Sequence, residues 1–151
     1  MFQQEYEKDM TYTDIMRTAI RTKYNFIRYY YTKLYMIALF FDETVSNFYK
    51  PLFMEFPNDI NAYPNGKYKY EIMLGDAIKL SVNVDDIERN TTTFYFPAGT
   101  WCDLLNGTCL KSDDKTSEFE MSTKAYEYYL HLRQDYIVPM QDAYNGKVNS
   151  T

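Results

Sequence analysis

The feature that most restricts how this chain can fold is a change of hydrophobic period partway along it. From about residue 13 to residue 41, Ile15, Ala19, Ile20, Tyr24, Ile27, Tyr30, Leu34, Ile37, Ala38 and Phe41 recur at three- and four-residue spacing, with no Pro or Gly between them. That spacing predicts one long helix with Thr13 as its N-cap. Such a helix would be about 40 Å long, more than a domain of this size ordinarily needs, so it belongs on the outside of something larger.

After it the period shortens. Phe48 to Phe53 is a short apolar segment containing Pro51, and Glu55-Phe56-Pro57-Asn58-Asp59 reads as a turn. Ile78, Leu80, Val82 and Val84 alternate with Lys79, Ser81 and Asn83, the pattern of a half-buried strand. Thr92 to Phe96 is a second strand, stopped by Pro97-Ala98-Gly99. Tyr126, Tyr128, Leu130 and Leu132 alternate with Glu127, Tyr129, His131 and Arg133, and Tyr136-Ile137-Val138 follows closely. A helix followed only by strands and turns makes an α+β chain of two architectural pieces, with the junction near Gly75 and an antiparallel β-sandwich after it. The tail from Asn145 is expected to fray.

Composition supports a packed protein. The 17 Tyr and 10 Phe supply a large aromatic core, and glycine and proline, at five each, are too few for a fibrous or loop-dominated chain. No run of apolar residues is long enough to span a bilayer. Residues 1–50 carry +1 and the remainder −6, so neither nucleic acid nor an anionic membrane is an expected partner. Arg17, Arg21, Lys23, Arg28 and Lys33 do interleave with Tyr24, Tyr29, Tyr30 and Tyr31, a mixture that suits single-stranded nucleic acid. A solvated basic face is nevertheless the ordinary property of an amphipathic helix.

Three triplets, at Asn90, Asn106 and Asn149, are N-glycosylation sequons. Cys102 and Cys109 bracket the turn-forming Asn106-Gly107. They are either two buried thiols or a disulfide closing a short loop, worth about 2.5 kcal/mol by chain entropy; a secretory compartment favours the bridge. Sequons without an apolar, basic-flanked leader suggest that the protein starts upstream of Met1.

No active site emerges from residue chemistry alone. His131 is the single histidine and sits in an alternating strand, without the partners that a triad or a zinc site needs. The glycines never cluster into a phosphate loop, neither cysteine has a base nearby in sequence, and no metal or cofactor is expected. The acidic pairs Asp42-Glu43, Asp85-Asp86 and Asp113-Asp114 put adjacent carboxylates in different directions. A retaining glycosidase instead needs two carboxyl groups facing each other about 5 to 5.5 Å apart.

Several segments, in order, resemble the end of family 31 glycoside hydrolases, the α-glucosidase type. Gln3-Gln4-Glu5-Tyr6 is similar to the family's Gln-Glu-Pro-Tyr. Met16-Arg17 through Leu34-Tyr35 resembles the helix written Arg-Tyr-x-Leu-Leu-Pro-x-x-Tyr-Thr-Leu. The most specific match is Lys50-Pro51-Leu52-Phe53-Met54-Glu55-Phe56-Pro57-Asn58-Asp59, similar to Arg-Pro-Leu-Phe-x-Glu-Phe-Pro-x-Asp. Met73-Leu74-Gly75-Asp76-Ala77 resembles the opening of the proximal C-terminal sandwich. Tyr95 to Leu104 resembles Tyr-Phe-Pro-x-Gly-x-Trp-Tyr-Asp-Leu, and His131 to Gln141 resembles His-Leu-Arg-x-Gly-Tyr-Ile-x-Pro-x-Gln. Lys50 stands where the family has Arg, Cys102 where it has Tyr, and Asp135 where it has Gly.

The resemblance implies that residues 1–74 are the end of a (β/α)₈ barrel, with its last helix at about 13–41 and its eighth strand at about 48–53. Residues 75–144 would be the proximal C-terminal β-sandwich and 145–151 a tail. A full barrel takes roughly 250 residues, so the chain would be a scaffold portion whose partner is the rest of the same protein. The implied activity is retaining hydrolysis of α-glucosidic bonds in oligo- or polysaccharides, in the lysosome or outside the cell, with both catalytic aspartates upstream and none in this chain. Glu55, just past the expected eighth strand where barrel sites are built, is the one candidate substrate-binding residue, with a structural role as its other reading. The alternative is a non-catalytic relative that serves as a structural or carbohydrate-binding component of an extracellular assembly.

Overall fold

A computed structural model of the chain describes residues 11–40, 47–63, 70–83, 91–113, 117–122 and 127–142. The segment 3–6, the pairs Asp42-Glu43 and Asp85-Asp86, the sequons at Asn90 and Asn149, and the tail from Asn145 lie outside them. The described residues fall into two compact units. One runs over 47–136, and the other joins 11–40 to 137–142.

In the helical unit, α1 (Tyr12–Asn25) and α2 (Ile27–Phe40) follow one another. The N-cap is Thr11 rather than Thr13. The Asp14 N–H donates to Thr11 Oγ1 at 3.3 Å, and the Thr11 hydroxyl donates to Asp14 Oδ2 at 2.6 Å. An acid three residues past the cap makes that exchange possible; the residue three past Thr13 is Met16, which has no acceptor to offer. The single long helix expected from spacing is divided at Phe26, which leaves helical geometry (φ −101°, ψ 9°). There the buried Asn25 carbonyl accepts from the Gln141 N–H at 2.9 Å, a backbone partner from the far end of the chain. A buried carbonyl released by a helix break needs such an acceptor role filled. Tyr12, Met16, Ile20 and Tyr24 on α1, and Tyr31, Leu34, Tyr35 and Leu39 on α2, are exposed.

The second unit is an antiparallel β-sandwich. Its strands are β1 (Tyr49–Pro51), β2 (Glu71–Leu74), β3 (Ile78–Val82), β4 (Thr91–Tyr95), β5 (Gly99–Asp103), β6 (Cys109–Ser112), β7 (Glu118–Ser122) and β8 (Tyr128–Arg133). Six pair in the order β1-β2-β3-β8-β5-β6, while β4 and β7 form a second, two-stranded sheet. Gly75, at φ 65°, makes the turn between β2 and β3 and donates its N–H to the Phe48 carbonyl at 2.7 Å. Between the sheets lie Met73, Phe94, Tyr95, Phe96 and Trp101, joined by Leu52 and Ala62. Phe96 organises this core edge-on, 6.1 Å from Trp101, 5.6 Å from Phe119 and 4.8 Å from His131 between ring centroids. The Trp101 Nε1–H donates to the Pro97 carbonyl at 2.8 Å, so the largest core side chain carries no unmet polar atom.

Two expectations change here. The segment 48–53 forms strand only over Tyr49–Pro51; proline then begins a helical turn, α3 (Leu52–Glu55). β1 pairs antiparallel with β2, Tyr49 opposite Leu74 and Pro51 opposite Ile72, whereas the eighth strand of a parallel barrel has parallel neighbours. The sandwich unit accordingly starts at Asn47, not near Gly75.

Candidate functional site

Glu55 is the sequence candidate, and the fold gives it a defined place. α3 is anchored by buried Leu52, which turns Glu55 toward two cations. Lys50, from β1, pairs with Glu55 Oε2. Arg133, from the end of β8, donates from Nη1 to Glu55 Oε1 at 2.9 Å. The Arg133 guanidinium also lies 4.7 Å from the centre of the Phe56 ring and 5.5 Å from that of Tyr136. Glu55 therefore ties the first strand of the sandwich to the eighth.

Glu55 and Arg133 also form part of the wall of an open recess of about 560 Å³, shared with Asn58, Asp59, Tyr95 and Asp113. Asp59 is engaged as well: the Tyr95 hydroxyl donates to its Oδ2, and the Asn61 N–H donates to its Oδ1 at 3.0 Å. With both oxygens of each carboxylate committed to protein partners, the two acids act as ties between segments.

A second polar group lies inside the sandwich. Lys79 and Ser81 have no exposed surface, and Glu71 and His131 almost none. Lys79 pairs with Glu71 Oε2 and donates to Ser81 Oγ, and it lies 4.0 Å from the centre of the Phe96 ring. The Tyr95 N–H donates to Glu71 Oε1 at 2.9 Å, which joins the two sheets through one carboxylate. Burial pushes the Glu71 carboxyl up and the Lys79 ammonium down; in each case the partner's charge opposes the shift. His131 stands opposite Lys79 in the β3–β8 register and opposite Asp103 in the β5–β8 register. Burial first, and the Lys79 charge second, bring its pKa down to about 3. His131 is thus a neutral packing residue at physiological pH. In the alternation of β3 it is Lys79 and Ser81 that lie on the inner side, where Glu71 of the neighbouring β2 supplies the countercharge.

Cys102 and Cys109 are joined by a disulfide between directly opposed positions of β5 and β6. Of the three sequons, Asn106 is the described one. It is exposed at the tip of that hairpin. Asp135, in place of the family's glycine, takes the left-handed φ of 66° that glycine favours. Among the described residues, no three His, Cys, Asp or Glu side chains gather as a metal ion would require, and no helix is long and apolar enough to cross a membrane.

A family model described as the glycosyl hydrolase family 31 C-terminal domain matches residues 46–138. Lysosomal alpha-glucosidase of Bos taurus is 31% identical over 152 residues, spanning 92% of this chain and 15% of that protein. Probable glucan 1,3-alpha-glucosidase of Oryza sativa subsp. japonica is 30% identical over 137 residues, spanning 87% of this chain and 13% of that protein. Among solved structures, a GH31 dextranase of Flavobacterium johnsoniae in complex with glucose aligns with a TM-score of 0.67 over 87% of this chain and 15% of its own. At 21% identity that alignment speaks for the fold. The chain spans about 15% of the length of the α-glucosidases it matches.

Proposed function

The chain belongs to glycosyl hydrolase family 31, and from that membership we propose that it is a scaffold portion of a retaining α-glucosidase-type hydrolase whose catalytic aspartates lie upstream. In this reading the sandwich braces the catalytic barrel, and residues 11–40 are the barrel's last helical segment. The protein works in the secretory pathway, in the lysosome or outside the cell, on α-linked oligo- or polysaccharides. The observation that carries the proposal is the family match over 46–138, coupled to the small share of the α-glucosidase length that the chain spans. The commitment of Glu55 and Asp59 to internal partners supports it, as does the exposed apolar face of α1 and α2, which suits contact with more protein.

Release of p-nitrophenol from an α-glucoside tests the reading. The protein with its upstream portion should turn over, and the 151 residues alone should not. Turnover by the 151 residues alone would sink the scaffold assignment. A folded, inactive full-length protein would favour the alternative, a non-catalytic relative in an extracellular assembly. Glu55→Gln in the active protein should lower the melting temperature and leave KM unchanged; a raised KM would return Glu55 to the substrate site.

A further inference from the structure

We propose that Asn106 is an N-glycosylation site that accepts its glycan only while the β5–β6 hairpin is open, so that its occupancy is set by a race against closure of the Cys102–Cys109 bridge. The inference rests on the secretory reading above. Asn106 is exposed at the hairpin tip, between the two cysteines. In the closed hairpin both ends of the Asn106 amide and the Thr108 hydroxyl hold partners within the loop. The Asn106 Nδ2–H donates to Asp103 Oδ2 at 3.0 Å. Asn106 Oδ1 accepts from the Thr108 N–H at 2.8 Å and from the Thr108 hydroxyl at 2.6 Å. Asp103 is itself buried and fixed, accepting from the Leu105 N–H at 2.7 Å.

Transfer forms a bond from Asn106 Nδ2 to the anomeric carbon of an oligosaccharide carried on a lipid pyrophosphate. The carbon–oxygen bond to the pyrophosphate breaks, the lipid pyrophosphate leaves, and the Nδ2 proton passes to a base of the transferase. The competing step oxidises the two thiols by exchange with a disulfide of the compartment's oxidant, which is reduced to a dithiol and takes up the two protons. Once the bridge has formed, Cys102 and Cys109 have Cα atoms 4.0 Å apart, seven residues along the chain. An open stretch of that length extends over about 24 Å. A transferase that draws the sequon into its cleft as extended peptide can use the open form and not the closed loop.

Glycan already in place does not prevent later closure. Nδ2 keeps one hydrogen for Asp103, and the tip is roomy: a Cβ built at Gly107 would meet nothing within 4 Å.

The test compares the full-length protein with its Cys102→Ser/Cys109→Ser variant, both expressed through a secretory pathway. Occupancy of Asn106 and Asn90 is read from glycopeptide mass spectra, a readout that survives misfolding. Asn106 occupancy should be partial in the parent, rise several-fold in the cysteine variant, and vanish with Thr108→Ala. Equal occupancy with and without the bridge would overturn the proposal. So would an empty Asn106 in both proteins beside an occupied Asn90. If Asn90 is empty as well, the secretory reading falls along with it.

Discussion

The sandwich and the helices differ in how far they enclose their large apolar residues. In the sandwich, Phe94, Phe96 and Trp101 are buried between two sheets, and even Lys79 is enclosed because Glu71 meets its charge. Along α1 and α2, Tyr12, Met16, Ile20, Tyr24, Tyr31 and Leu34 are all at least half exposed, Tyr31 at 72%. The sandwich closes its own core and spends its charges inside it. The helices present a contiguous apolar face of the kind that soluble surfaces normally avoid. The difference teaches that burial is uneven along this chain: the sandwich encloses its large apolar side chains, whereas α1 and α2 leave many of theirs exposed.

That contrast can be broken or sharpened by substitution. Trp101→Ala should cost about 4 kcal/mol in urea unfolding, since a fully buried indole leaves both a cavity and an unmatched Pro97 carbonyl. A loss below a third of that would mean that the two sheets are not packed as one core. Glu71→Leu should cost about 3 kcal/mol by leaving Lys79 buried without its countercharge, and adding Lys79→Met should restore most of the loss. Equal losses in the single and double variants would deny that the pair acts as a unit.

His131 makes the core sensitive to acid, and the sign follows from its depressed pKa. Above about pH 6.5 neither state holds the proton, whereas between pH 6.5 and about 3 the unfolded chain binds a proton that the folded one refuses. Stability should therefore fall as pH drops through that window, by about 2 kcal/mol from pH 6.5 to 5. His131→Phe should flatten the unfolding midpoint over the same range; an unchanged slope would place the acid sensitivity elsewhere. The smallest effect is expected from Ile20→Ser and Leu34→Ser, within about 0.5 kcal/mol for this chain alone. In the full-length protein the same changes should lower the melting temperature measurably. Parity between the two settings would leave the exposed face without a partner.

Much of this organisation was legible in the sequence, because periodicity reports which side of an element is apolar. The helical spacing of Ile15 to Ala38 and the alternations around Leu80 and Leu130 all landed on regular elements of the expected type. So did the pairing of Cys102 with Cys109, where a turn between the cysteines brings them together. Long-range partners escaped. Nothing local to Phe26 announces that Gln141 will take the Asn25 carbonyl and divide the helix. Nothing beside Lys79 announces Glu71, so the alternation alone does not show that the strand's polar residues are the buried ones. β2, β5, β6 and β7 carry mixed residues without clean alternation, and their pairing is set by register with other strands. Glu55 was found as a candidate because of the segment around it. A structural role was the other reading of it, and the partner that makes it a tie, Arg133, lies 78 residues later.

The bond from Gln141 to Asn25 has a practical corollary for anyone trimming this protein. The family match stops at residue 138, which invites a cut there. Such a cut would spare every described strand and should still unseat the helices, because the carbonyl at their junction would lose the amide that answers it. Gln141 is thus the clasp of the helices, and a cut in this chain is better placed by who holds whom than by where similarity fades.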